Sequence, residues 1–267
     1  EKSQAIFFLK SLKNISRKKK IDLIIISTTT NGRVSILKKI REEFPRTKIV
    51  IEKPICQSMY ELSQIIKINS NIFVNHPFRY VPWFKKIQNE FNKIYDGNKF
   101  EMCVNAPNLG IACNASHYID LFNFFTKKNP TKVVSRKMIW KKSKRNGFFD
   151  VDGIVQIEFG KDHRVIINSI TKLNEKRKII ITGKTSNGEF KINLLKNNCQ
   201  FNNRKKITGK LLEQSKLSHL LYYQINNNND KVTKLIDAAN CYHPLLKELI
   251  SSWNKRYKSN IKKIKIT

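Results

Sequence analysis

Three short apolar runs, Asp22–Ser27, Lys48–Ile51 and Asn71–Val74, constrain the fold of this chain more than anything else in it. Each is strand-sized and unbroken by polar alternation, the pattern of strands buried on both faces. Helical spacing fills the gaps between them. Val34–Phe44 places apolar residues on one helix face and stops at Pro45. Ser58-x-x-Glu61 is a capping box that opens a second helix, through about Ile68. Strand, helix, strand, helix, strand in this order predicts a parallel sheet with crossover helices. Ligands of such sheets bind beyond the carboxyl ends of the strands. Those ends are Thr28–Asn31, Glu52–Pro54 and Asn75–Arg79, and they are expected side by side. A helix over residues 1–20, with Ile6, Leu9 and Leu12 on one face, is expected ahead of the unit.

After Pro82 the pattern changes. Strand-like runs at Phe100–Ala106, Lys132–Trp140, Gly153–Phe159, Arg164–Ile170, Arg177–Thr182 and Glu189–Leu195 are joined by turns such as Gly160-Lys-Asp162 and Asn187-Gly188. Short turns between consecutive strands predict a mainly antiparallel sheet. Helices are expected at about Ala115–Phe125, Leu217–Ile225 and Lys231–Tyr257, with Asn226–Asn229 as a polar linker. The layout is a parallel α/β half followed by an α+β half.

Composition bounds the function. With 52 Lys+Arg against 20 Asp+Glu the net charge is +32, which raises a nucleic-acid partner. Only 11 of those 52 are Arg, however, whereas phosphate readers lean on the Arg fork. Lys, Ile and Asn, all from A/T-rich codons, dominate the chain, so codon bias accounts for the charge without a polyanion. No apolar run approaches the ~18 residues of a membrane span. Five cysteines, odd in number and never in C-x-x-C, suit a reducing cytoplasm rather than a disulfide framework or a zinc site.

Three constellations could carry chemistry. In Glu52-Lys53-Pro54, a partly desolvated Lys at a strand end can exchange protons near neutrality, and Pro54 fixes its direction and permits a cis bond; the same tripeptide also serves as a plain strand end. In Cys113-Asn114-Ala-Ser-His117-Tyr-Ile-Asp120, Asn114 is expected as N-cap, and His117, Asp120, Leu121 and Phe124 share one face. Two titratable groups on a core-directed face are either an acid/base pair or a structural one. In Asn75-His-Pro-Phe-Arg79-Tyr80-Val-Pro82-Trp83, the polar and aromatic groups suit a polar substrate or a domain hinge. His243-Pro244, on the last helical pattern, is expected to serve packing. With nine glycines the chain contains no G-x-G-x-x-G.

Taken in order, Ile-Ile-Ser27-Thr28-Thr29-Thr30, Glu52-Lys53-Pro54, Asn75-x-x-x-Arg79-Tyr80-x-Pro82 and His117-x-x-Asp120 resemble the glucose–fructose oxidoreductase/inositol dehydrogenase (Gfo/Idh/MocA) family. The resemblance runs from about residue 20 to the end of the chain. The stretches Asn108–His117 and Asp237–Leu246 are similar to members of surface-polysaccharide and sugar-nucleotide pathways.

The resemblance implies a Rossmann-like parallel sheet over 1–78, incomplete for want of its first βα unit. An α+β substrate and oligomerisation domain with a mainly antiparallel open sheet follows over 79–267. It implies a cytoplasmic oxidoreductase moving a hydride between NAD or NADP and a sugar, polyol or sugar nucleotide, with Lys53 and His117 as acid/base groups and Asp120 in support. Ser27, Thr28, Thr29, Thr30, Asn31, Glu52 and Lys53 would lie along the dinucleotide; Asn75, Arg79, Tyr80, Asn114 and His117 would lie near the sugar. No metal, specific nucleic acid or membrane is implied, and a homodimer or tetramer is.

Cys113 stands where the family often has Asp, and Thr29 and Arg33 replace a common Pro and His. The chain begins with Glu1, and the resemblance places roughly forty residues, including the Gly-rich turn, upstream. Without them the chain is expected to grip a pyrophosphate poorly and to be inactive as it stands. Two alternatives stay open: a family member without catalysis that serves as a binding or regulatory module, and a basic nucleic-acid-binding protein.

Overall fold

The computed structural model describes residues 21–68, 71–171, 178–211, 216–227 and 231–267. The expected helix over 1–20 lies outside them, as do residue 177 of one expected strand and residues 228 and 229 of the linker.

The three apolar runs are the strands β1 (Leu23–Ile26), β2 (Lys48–Ile51) and β3 (Ile72–Val74), alternating with α1 (Arg33–Glu43) and α2 (Met59–Lys67). β1, β2 and β3 are parallel neighbours, and Ile26, Ile51 and Val74 share one register line, so the three carboxyl ends are level. The capping box forms: Ser58 Oγ accepts from Glu61 N at 3.1 Å, and Glu61 Oε2 accepts from Gln57 N at 2.9 Å.

A single 3-10 turn, Pro77–Arg79, leads into α3 (Pro82–Ile94). No element is expected there from the pattern above, yet Pro82 at the first helical position and the spacing of Trp83, Phe84, Ile87 and Phe91 account for it. Next come β4 (Phe100–Asn105) and α4 (Ile111–Thr126). α4 begins four residues earlier than expected. Its N-cap is Gly110, at φ 72°, and Asn114 sits inside the helix rather than capping it. α4 is buried on almost every side, including Ile119, Leu121 and Phe122 with no exposure, as befits a helix that is apolar all round.

The second sheet is built from β4, β5 (Lys132–Lys142), β6 (Phe149–Glu158), β7 (His163–Asn168), β8 (Ile180–Thr185), β9 (Glu189–Asn193), β10 (Asn198–Phe201) and β11 (Lys205–Thr208). Its spatial order is β11-β10-β9-β8-β4-β7-β6-β5, antiparallel throughout except for β4 beside β7. β10 and β11 extend the sheet beyond the six strands expected. Phe91, Phe100, Phe122, Phe125 and Phe190 stack beneath it. Gly183 makes room, since a Cβ there would sit 2.3 Å from the Phe190 ring.

The chain then returns to the first sheet. After α5 (Ser218–Asn226), β12 (Thr233–Lys234) pairs antiparallel with β3, and α6 (Leu235–Tyr257) packs on α4, α2 and β5. The expected helix from Lys231 thus starts at Leu235, behind a two-residue strand. His243 is exposed on α6 and is not among its buried residues, so the expected packing role does not show there. Residues 261–267 run between the two sheets: Ile264 and Ile266 are fully buried, Ile264 N donates to Gln57 O at 3.0 Å, and Phe149 N donates to Lys265 O at 2.7 Å.

All five cysteines are free. Among the described residues no helix is long and apolar enough to cross a membrane, and no group of three His, Cys, Asp or Glu side chains is placed to hold a metal.

Candidate active site

The level strand ends are fastened to one another by a buried arginine. Arg33, on the first turn of α1 and 2% exposed, donates from Nη2 to Thr28 O at 2.7 Å. From Nη1 it donates to Glu52 O at 2.7 Å, to Ile55 O at 3.1 Å and to Pro54 O. One guanidinium therefore ties the loop after β1 to the loop after β2. Burial lowers its pKa to about 10, so it stays charged at neutral pH. The Lys53–Pro54 peptide is cis. At the loop after β1, Ser27, Thr28 and Asn31 are exposed and Thr29 is half-buried, but Thr30 is not available. Its hydroxyl donates to Ile266 O and accepts from Gln57 Nε2 at 2.8 Å.

Lys53 reaches from this edge to α4. Its ammonium donates to Asn114 Oδ1 at 2.6 Å, while Asn114 Nδ2 donates back to Leu109 O at 2.6 Å. The helix end beneath is held by two carboxylates of β6. Asp150 accepts from Ala112 N at 3.1 Å, and Asp152 accepts from Gly110 N at 3.2 Å and from the Lys141 ammonium. Burial drives Lys53 below the usual ammonium range, against the opposing pull of Cys113, Glu52 and Asp150. Cys113 could pull only as a thiolate. Burial and the neighbouring Asp150 push its pKa up to about 12, and the thiol donates to Thr267 O. At neutral pH the opposition therefore falls to the two carboxylates.

Next to Lys53 stand two imidazoles. His117, one turn after Cys113 on α4, is half-buried; His76, directly after β3, is 3% exposed. Their Nδ1 atoms are 3.0 Å apart. Burial, followed by the charges of Lys53 and His76, holds His117 well below the usual imidazole range, and burial lowers His76 to about 4. Both rings are neutral at pH 7.

Asp120 turns away from this pair. It accepts from Arg79 Nε at 2.8 and 3.0 Å and from Thr233 Oγ1 at 2.9 Å, and is wholly buried. Arg79 also donates to Asn123 Oδ1 at 2.7 Å. Tyr80 OH donates to Asn75 Oδ1 at 2.7 Å, and Asn75 Nδ2 donates to Glu52 Oε1 at 2.6 Å, a line that supports Glu52 from within.

No family model matches the chain, and no curated protein matches it in sequence. Its backbone does match solved oxidoreductases. An oxidoreductase domain protein from Kribbella flavida is similar at a TM-score of 0.68 and 14% identity, over 88% of this chain and 79% of that one. The WlbA dehydrogenase from Bordetella pertussis, solved with NADH and UDP-GlcNAcA, is similar at 0.63 and 14%, over 92% and 81%. An oxidoreductase from Agrobacterium radiobacter, solved with NAD+, L-tartaric acid and magnesium, is similar at 0.67 and 11%, over 92% and 82%. The fold is theirs. The parallel sheet followed by an open, mainly antiparallel one, expected from the Gfo/Idh/MocA resemblance, is the architecture this chain adopts.

Within that oxidoreductase fold, the structure brings Lys53, Asn114 and His117 together beside Glu52 and the loop of Ser27, Thr28, Thr29 and Asn31. Five expectations change. Thr30 is engaged by the 261–267 segment, and Asp120 pairs with Arg79 instead of supporting His117. Asn75, Arg79 and Tyr80, at 4%, 5% and 3% exposed, lie behind the site rather than at its mouth. Three partners carried no assigned role in the sequence: His76, Arg33 and Asp150. His76 had a signal, lying inside the Asn75–Arg79 strand end, and Asp150 had one in the Asp-x-Asp spacing. Arg33 is marked in the sequence only as standing where the family commonly has His, and nothing there foretells its burial.

Proposed function

We propose that this chain is the catalytic frame of an NAD(P)-dependent oxidoreductase that moves a hydride between the cofactor and a hydroxyl or ketone carbon of a sugar, polyol or sugar nucleotide. The observation that carries the proposal is the Lys53 ammonium, held by Asn114 at a parallel strand end beside a neutral His117. The residues at the carboxyl edge fit a dinucleotide. Ser27, Thr28 and Asn31 are exposed along the loop that Arg33 ties to Glu52, in the place where such sheets take nucleotides. When bound, the nicotinamide supplies the two-electron chemistry. The protein supplies placement and proton traffic. Lys53 binds the substrate oxygen and steadies charge developing on it. Its lowered pKa eases proton exchange near neutrality. His117, neutral and partly exposed, accepts or returns the hydroxyl proton, while Asn114 fixes Lys53 and lies beside the substrate. Asn75, Arg79, Tyr80 and Asp120 brace these groups from behind.

The sugar-nucleotide class is supported by the UDP-sugar in the WlbA complex. The five free cysteines suit a cytoplasmic setting. We assign residues 79–267 to substrate and oligomerisation, with a dimer or tetramer formed through the open sheet face.

The test is a titration with NADH, followed by turnover of UDP-linked hexoses, in the unaltered protein and in Lys53→Met. The substitution is expected to lower kcat by about 10²–10⁴ and leave NADH affinity within a few-fold. Unchanged turnover would remove Lys53 from the chemistry. One observation favours a second reading, a binding module on the same fold: the neutral Cys113 thiol where the family often has a carboxylate. NADH binding with no turnover of any sugar would decide for it.

A further inference from the structure

Behind His117 lies a second imidazole that the chemistry above does not use. His76 and His117 face each other Nδ1 to Nδ1 at 3.0 Å, with ring planes at 88° and centroids 5.1 Å apart. At that separation the two nitrogens hold one proton between them, because two protons would collide and two lone pairs would repel. The rings are thereby fixed in complementary states. When His117 Nδ1 carries the proton, its Nε2 is a bare base. When His76 Nδ1 carries it, His117 Nε2 bears hydrogen and is an acid.

The surroundings differ across the pair. His117, on α4 and mostly buried, has Lys53 and His76 as its charged or titratable neighbours. His76, on the loop after β3, is sealed from solvent and feels Asp120 of α4 first, then Arg79 of the 3-10 turn and Lys53 of the loop after β2.

We propose that His76 and His117 form one proton-carrying unit, in which His117 exchanges a proton with the substrate hydroxyl through Nε2 and His76 takes the matching proton from His117 at Nδ1. This rests on the oxidoreductase reading and deepens it. In the oxidation direction the substrate O–H breaks as His117 Nε2–H forms, and His117 Nδ1–H breaks as His76 Nδ1–H forms. The hydride leaves the substrate carbon for the dinucleotide. The positive charge passes for the duration of the step from the ring beside Lys53 to the ring that Asp120 faces, and the proton leaves again through His117 once the hydride has gone, because burial keeps His76 neutral at rest. Reduction runs the same bonds backwards. His76 touches no substrate; it is a positioning residue that decides which face of His117 is acid and which is base.

The test uses 15N-histidine NMR on the full chain without cofactor, with signals assigned through His76→Gln and His117→Gln. At neutral pH the unaltered protein is expected to show two neutral rings of complementary protonation, coupled across the Nδ1–Nδ1 contact. His76→Gln is expected to release the fixed tautomer of His117 and leave His163, His219 and His243 unmoved. In turnover, His76→Gln should lower kcat about tenfold or more, with KM little changed and a shifted pH–rate profile. Matching tautomers on both rings in the unaltered protein overturn the unit whatever the activity. A wild-type kcat and pH profile in His76→Gln overturn the relay and leave the oxidoreductase reading standing. NADH binding by the unaltered protein without turnover of any sugar, seen apart from the NMR signature, overturns that reading and the relay with it.

Discussion

In the proposed chemistry Lys53 works under two opposed demands: it must stay charged to steady an oxygen, yet be buried enough to part with a proton. The sequence marks it well, because a Lys between Glu and Pro at the end of an apolar run has little conformational freedom. Its partners are harder to read. Helical spacing puts His117 and Asp120 on one face of α4 but cannot say what approaches that face. Arg79 and Thr233, from two distant segments, claim Asp120, and His76 claims His117. The buried imidazole has a thermodynamic consequence. His76 sits at about 4 in the folded protein against about 6.5 in the unfolded chain, so the unfolded state binds the extra proton. Its contribution is complete above pH 6.5 and is lost as pH falls towards 4, by roughly 3 kcal/mol. Urea midpoints measured between pH 7.5 and 4.5 should fall accordingly, and His76→Gln should lessen the trend, leaving the part that His117 contributes.

At the scale of elements, apolar strands are legible because nothing polar interrupts them, and β2 matches its expected limits, Lys48–Ile51; β1 departs from the expected burial on both faces, since Ile25 is 41% exposed. β12 is not legible: two residues carry no period, and only the neighbouring β3 edge makes them a strand. α4 begins early because Gly110 adopts φ 72° with Asp150 against it, a tertiary contact invisible to a search for Asn or Ser caps. A Cβ on Gly110 would stand 2.1 Å from Asp150 Oδ2. Gly110→Ala is therefore expected to cost about 1–3 kcal/mol in urea unfolding and to loosen the end of the helix that carries Asn114. Arg33→Leu removes the donor for the carbonyls of Thr28, Glu52, Pro54 and Ile55 at once. We expect a loss of about 3 kcal/mol or more, read as a lowered urea midpoint with NADH affinity reduced in parallel.

For the whole molecule, the net charge of +32 is the loudest number in the sequence and the least informative about the site, where Lys53 is balanced by Glu52 and Asp150. Retention on a DNA column should accordingly vanish by ~200 mM salt, as for any loosely held polycation; binding that outlasts that salt would restore a nucleic-acid partner. Much of the architecture could be anticipated because each half has its own period. The way the halves are joined could not, since it depends on short stretches meeting across the chain. Ile266 accepts from Thr30 over 236 positions, and Thr233 grips Asp120 over 113. A ribosome that has delivered β1, β2 and β3 has therefore not delivered what closes them. The sheet stays without its fourth strand until residue 233 emerges, and Thr30 without its acceptor until residue 266. Such distant closures are slow and leave apolar strand edges uncovered in the meantime. The nascent first half therefore exposes the apolar edges that chaperones bind.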